Sequence, residues 1–247
     1  MITSREAFLQ RVRQAAQAGN RPGSGTREPR GRTGYQGAGP DPVARFCQAC
    51  AAVGGQAFAF PDREAAAANV VERVQGWAAR KVLVGRGPFF DTLGLPERLR
   101  ALGVEVLMAD TLTPEGARDP LFAAEVGISG VDYLVAETGT VVLKARPGEP
   151  RSLSLLPPVH IAVAHRGQLL ADLFDLFEAL SAGPADGAGG PALPSCLTLI
   201  TGPSKTGDIE LRLVTGVHGP GELHVVLIAA EAAAAPDVPG QAAPRAP

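Results

Sequence analysis

The sequence predicts an α/β fold built on a mostly parallel sheet covered by helices. Three observations carry that expectation. From residue 42 onward, short apolar runs suited to buried strands alternate with longer stretches of helical period. The run Val82-Leu83-Val84 shows no polar alternation, as expected of a parallel strand covered on both faces. A chain of 247 residues that is 45% hydrophobic and 19% charged also has ample material for a core.

Residues 4–18 read as a helical arm. Ser4 serves as N-cap, and Phe8, Leu9, Val12, Ala15 and Ala16 recur on one face. Residues 19–41 are dominated by Gly, Pro and Arg, and bury too little to offset the entropy of ordering them. They read as a flexible linker, and Arg21, Arg27, Arg30 and Arg32 as its solvated charges. The main domain is expected over residues 42–230. It opens with a helix carrying Val43, Phe46, Cys47, Cys50 and Val53 that ends at Gly54 and Gly55. A strand follows at 56–60, then a helix capped by Asp62 and running to Trp77. Further strands are expected at 81–85 and 104–108, and helices at 96–102 and 114–124. Residues 133–136 and 141–143 read as a hairpin set into the parallel pattern. A strand at 161–164 precedes a helix at 169–180 with Leu170, Leu173, Phe174 and Phe177 facing inward. After a Gly/Pro-rich loop come a strand at 197–200, a short helix at 207–214 and a strand at 223–228. Residues 231–247, rich in Ala and Pro, read as a disordered tail.

Several function classes are disfavoured. Lys and Arg number 23 against 25 Asp and Glu, a net charge of −2, without the basic excess that phosphate neutralisation needs. No apolar run approaches the roughly 20 residues of a membrane-spanning helix, and the first residues lack the apolar centre of a secretory signal. Three cysteines cannot all pair with one another, nor supply the four thiolates of a Cys₄ iron–sulfur cluster. A cytoplasmic protein is expected. Cys47 and Cys50 form a CxxC inside a helix, whereas redox motifs open one, so both read as core residues.

Three loops carry the chemistry. In parallel sheets ligands gather at the carboxyl ends of strands, which directs attention to the loops there. In the segment 199–210, a strand runs into Gly202, Pro203, Ser204, Lys205 and Thr206, then into the expected helix with Asp208. Backbone N–H groups, two hydroxyls and the Lys205 ammonium would together favour an anion there. The P-loop spacing is not met, because Gly202 stands only three residues before Lys205. Ser204 or Thr206 merely capping the helix is the competing reading. In the second loop Glu137 follows an apolar strand and precedes Thr138, Gly139 and Thr140. It is a candidate base or nucleophile, or a carboxylate binding backbone N–H groups of its own turn. In the third, His218 stands among glycines and Pro220, a candidate acid/base or anion donor with Gly219 beside it. His160, His165 and His224 lie at or within strands and read as structural.

Four motifs then align with a known family. ETGT at 137–140, RSLSLLP at 151–157, GPSKTGDIE at 202–210 and GVHGP at 216–220 resemble the LUD domain family, in its lactate-utilization protein C branch. The resemblance implies a Rossmann-like fold similar to the NagB/RpiA/CoA-transferase class. It implies a subunit of a cytoplasmic system oxidising L-lactate to pyruvate with two partners, an iron–sulfur protein and a cysteine-rich protein. Iron–sulfur clusters would sit on those partners, with no cofactor bound by this chain. The resemblance supplies no catalytic roles; on the chemistry of the loops, Glu137 and His218 are the catalytic candidates of such a site. Thr138, Gly139, Thr140, Arg151, residues 202–206, Asp208 and Gly219 would hold a small anionic ligand. The alternative is a stand-alone transferase or isomerase acting on an acyl-CoA or sugar phosphate, with Glu137 as nucleophile or base.

Overall fold

A computed structural model describes residues 5–19, 37–112, 118–146, 149–182, 194–209 and 212–230. The chain divides into two units, residues 1–35 and 36–247. In the first, helix α1 (Arg5–Gly19) forms where the apolar period places it. The proposed cap Ser4, most of the expected linker and the expected tail lie outside the described residues.

The second unit begins with α2 (Pro42–Ala52), started by Asp41, whose carboxylate accepts the N–H groups of Val43 and Ala44 at 3.1 Å. Strand β1 (Gln56–Phe60) leads to α3 (Arg63–Gly76), capped in the same way by Asp62 on the N–H of Ala65 at 2.8 Å. Then come β2 (Lys81–Val84), the short helices α4 (Pro88–Asp91) and α5 (Leu95–Arg100), β3 (Glu105–Met108), α6 (Arg118–Ala123) and β4 (Val126–Gly130). Strands β5 (Tyr133–Val135) and β6 (Thr140–Lys144) form an antiparallel hairpin. A 3₁₀ turn at Arg151–Ser154 precedes β7 (Val159–His165) and β8 (Leu169–Leu170), then α7 (Leu173–Ser181) and β9 (Leu197–Ile200). Strands β10 (Lys205–Ile209) and β11 (Arg212–Thr215) pair with each other, and β12 (Glu222–Ile228) closes the order.

Six of these strands make an all-parallel sheet in the order β1-β12-β7-β4-β2-β3. One face buries Val82, Val84, Val126, Ile128, Ile161, Val163, Val226 and Ile228 beneath α3, α4 and α5. Each fully buried Val or Leu there contributes roughly 1.5–3 kcal/mol of transfer free energy. The other face carries Ala162, Ala164, Leu223, Val225 and Leu227. It packs on Phe46 and Cys50 of α2 and on a second sheet of order β8-β5-β6-β9. Helix α7 covers the far side of that second sheet through Leu176 and Leu180.

The expected α/β architecture with a mostly parallel, helix-covered sheet is therefore present. Four local expectations are corrected. Residues 207–214 are not a helix but the hairpin β10–β11. Ile209, Leu211 and Leu213 alternate with Glu210 and Arg212, a period of two that fits a strand and not a helix. The 133–143 hairpin lies in the second sheet and not among the parallel strands. Residues 169–180 are not one helix: Leu169 and Leu170 pair with β5, and Asp172 caps a helix that starts at Leu173. That helix buries Leu176 and Leu180 and leaves Phe174 and Phe177 about half exposed, because Val135 and Val142 meet the former pair. Finally, β4 carries no strand expectation, yet it sits at the centre of the parallel sheet. Its Gly and Ser interrupt the apolar run that marks buried strands.

Candidate functional site

Between the parallel sheet and the second sheet lies a cavity of about 230 Å³. His160 and Leu223, the second residues of β7 and β12, form its floor. Residues 198–200 of β9 form a wall, continued by the turn Thr201, Gly202, Pro203 and Ser204. Ser154 and Leu155 enter from the 3₁₀ turn, and His218, Gly219 and Pro220 from the loop before β12. Three segments far apart in sequence thus converge on one space. The turn N–H of Ser204 donates to the Pro220 carbonyl at 2.8 Å, and the Gly216 N–H to the Ser204 carbonyl at 3.0 Å, which lock two of them together.

The larger cavity opens at the amino ends of β7 and β12, not at the carboxyl ends to which the sequence directs attention. The reason is β9. It belongs to the second sheet, whose direction carries the turn after it to the opposite end of the parallel strands. A tighter space of about 30 Å³, room for one water, lies beside the carboxyl end of β4. It is lined by Ser129, Gly130, Asp132, Glu149 and Arg151, among others, and it shares Ser154 and Thr198 with the larger cavity. Burial pushes the Glu149 carboxyl up, against the pull of Arg146 at 2.9 Å.

Of the residues expected to bind or react, His218, Gly219, Gly202, Pro203 and Ser204 line the larger cavity. Lys205 does not. It is exposed on β10, and its ammonium donates to the Val53 carbonyl at 2.6 Å, tying the hairpin to the end of α2. With no helix at 207–214, the expected helix-terminus contribution to anion binding is also absent. Thr206 pairs with Val214 in the hairpin, and Asp208 also lies in β10. Arg151 lines only the smaller space, its guanidinium 3.8 Å from the Cys196 sulfur. Glu137 lines neither space; its N–H donates to the Ala171 carbonyl and its carbonyl accepts Arg45 at 3.3 Å.

The ETGT turn still acts on the cavity at one remove. Thr138 Oγ1 lies 2.6 Å from Thr140 Oγ1, which lies 2.8 Å from Thr201 Oγ1 in the cavity wall. Gly139 is required by the close packing of this turn on α2. Its φ is +65°, and a Cβ there would stand 2.3 Å from the Cys50 nitrogen.

Sequence reasoning passes over the most buried polar pair in this region. His160 is 1% exposed, and its Nε2 lies 2.9 Å from Ser129 Oγ. Burial pushes the His160 pKa down to about 4, so the ring is neutral at pH 7. The available signal is a polar residue inside each of two apolar runs, VGISG and VHIAVAH. Of the CxxC pair, Cys50 is a core residue whose thiol burial raises to about 11, whereas Cys47 is only partly buried, which raises its pKa as well.

Comparison with known proteins adds the family. The profile of the LUD domain matches residues 43–228. The chain belongs to the LUD domain family. This LUD domain is 40% identical over 157 residues to the lactate utilization protein C of Halalkalibacterium halodurans, covering 64% of this chain and 65% of that protein. It is 32% identical over 161 residues to the protein of the same name from Bacillus subtilis, covering 64% and 66%. The matched stretch thus spans just under two thirds of the length of these curated relatives. The motif resemblance to the lactate-utilization protein C branch agrees with their names. A crystal structure of a DUF162 family protein from Deinococcus radiodurans shares the fold, with a TM-score of 0.52 at 23% identity over 76% of this chain and 96% of that one.

For this LUD domain the place of Lys205 sets an expected result. Lys205→Met should lower stability by about 1 kcal/mol, the worth of one exposed charge-assisted hydrogen bond. Affinity for small acids should stay within about twofold, since loss of one neutral contact would already cost more than that. Urea denaturation and titration calorimetry check the two halves; a tenfold loss of affinity would return the ammonium to the ligand.

Proposed function

We propose that this LUD domain is a subunit of a cytoplasmic L-lactate utilization system and binds a small carboxylate in the cavity between its two sheets. The observation that carries the reading is the convergence of the 154–155, 201–204 and 218–220 segments on one space of about 230 Å³. At about 30 Å³ per water that is roughly eight waters' volume, suited to an acid of a few heavy atoms and small for a nucleotide-bearing substrate. Ser204 and His218 supply polar groups to the lining, and Leu155, Leu199 and Leu223 apolar ones. The names of the relatives support lactate utilization as the setting.

Oxidation of lactate to pyruvate releases two electrons and two protons. In this reading the electrons pass to iron–sulfur clusters on a partner protein, with a cysteine-rich second partner, and this chain binds and orients the acid. Three cysteines, one of them buried in the core, suit that division. The acyl-CoA or sugar-phosphate alternative has no comparable support, because Glu137 lines neither space.

Titration calorimetry of the full chain with L-lactate and pyruvate tests the reading. His218→Ala is expected to weaken binding about tenfold, the worth of one polar contact to a charged group. Its melting temperature should stay near that of the parent, since His218 is exposed. Unchanged affinity in this variant would remove the cavity from consideration.

A further inference from the structure

Helix α1 carries an apolar stripe that lies in solvent. Phe8, Leu9 and Val12 are 50%, 38% and 48% exposed, and the other side chains from Arg5 to Ala15 are exposed as well. A helix of 15 residues on its own is marginal in water, so a phase that takes up its apolar face would stabilise it.

The charge around that face names the phase. At about 100° per residue, Ala15, Phe8, Val12 and Leu9 fall within an arc of about 120°. Arg11 falls about 40° beyond one edge of the arc and Arg13 about 40° beyond the other, with Gln10 and Gln14 on the opposite side. Arg5 falls inside the arc, but at the first residue of the helix, where a long stem can follow the apolar face and leave its guanidinium at the end. Guanidinium groups along both borders of an apolar stripe suit a bilayer interface. The stripe enters the acyl boundary while the arginine stems snorkel and keep their charges among the headgroups. A protein groove would use only the stripe, and a nucleic acid only the charge. Composition sets the sign of the lipid. Residues 1–35 hold seven Arg and two Glu, a balance of +5, against 16 basic and 23 acidic residues, a balance of −7, in the rest of the chain. The overall −2 thus conceals a basic segment that an anionic surface would attract.

We propose that α1 is a reversible anchor lying in the interface of an anionic phospholipid bilayer, with Phe8, Leu9 and Val12 inserted and Arg11 and Arg13 among the headgroups. The proposal stands on α1 and does not depend on the carboxylate-binding reading. Co-sedimentation of the full chain tests it, with vesicles of phosphatidylglycerol and phosphatidylcholine in equal parts against vesicles of phosphatidylcholine alone. Binding should be at least about tenfold stronger to the mixed vesicles and should fall as salt is raised. The variant Phe8→Ser, Val12→Ser and, separately, Arg11→Gln, Arg13→Gln should each weaken it about tenfold or more. The core clusters of the second unit contain no residue of α1, so an unchanged melting temperature confirms that both variants are folded. Equal binding to the two kinds of vesicle, or full binding by the Phe8→Ser, Val12→Ser variant, overturns the anchor. Binding to neither overturns it too and returns the stripe to a protein groove. Single-stranded RNA that strips the parent from vesicles and binds the Phe8→Ser, Val12→Ser variant equally well would make α1 a plain polyanion site, and overturns it likewise.

Discussion

Gly127→Ala is expected to destabilise the protein by about 3 kcal/mol, roughly 10 °C in melting temperature for a chain of this size, and to abolish small-acid binding. Gly127 lies in β4 at the centre of the parallel sheet. A Cβ there would stand 2.2 Å from the Leu153 carbonyl oxygen and 3.0 Å from the Pro157 ring. The first obstacle is backbone, so it cannot rotate aside. The 3₁₀ turn at Arg151–Ser154 would have to lift off the sheet. Leu153 is buried against Leu83, Ala109 and Ala124, so lifting it also opens that cluster. Ser154 is shared by both spaces, and its displacement would deform the binding site directly. Gly207→Ala is the control, because a Cβ there meets nothing within 4 Å. Thermal melts and calorimetry of the two variants check the expectation. A Gly127→Ala protein melting within about 2 °C of its parent would show that the turn yields freely.

The second large effect is on pH dependence. Burial holds the His160 pKa near 4, against an ordinary 6.5 in the unfolded chain. Between those values the unfolded state binds a proton that the folded state refuses, so stability falls as pH drops from about 6.5 to about 4. At about 1.4 kcal/mol per pH unit the loss from this group comes to about 3 kcal/mol. The Ser129→Ala, His160→Phe double variant should lack that component. Burial also lowers the pKa values of His165 and His224, the first aided by the Arg63 charge and the second opposed by Glu222. Their losses have the same sign and are common to both proteins, so they cancel in the comparison. Urea denaturation at pH 7 and pH 4 measures the difference. Parallel stability curves for the two proteins would mean that His160 takes up its proton in the folded state at ordinary pH, and hence is hydrated there.

The sequence alone determined the elements whose period and caps leave no competitor. Asp41 and Asp62 start their helices, and Val82, Leu83 and Val84 form a strand buried on both faces, because capping and apolar burial act on neighbours along the chain. The four motifs likewise sufficed for the family. Tertiary structure decided everything that depends on which stretches meet. It paired residues 205–209 with 212–215 instead of coiling them, and it moved the 133–143 hairpin into a second sheet. That sheet carries the 201–204 turn to the amino ends of β7 and β12 and leaves the Lys205 ammonium on the Val53 carbonyl. His160 shows the division most plainly. In sequence it is a polar interruption of an apolar run; its meaning comes from Ser129, thirty-one residues away, which engages its Nε2. Local propensity acts over a few residues, whereas a binding site is made by sheet register and packing between segments with no fixed spacing, so only the folded chain could bring these groups together.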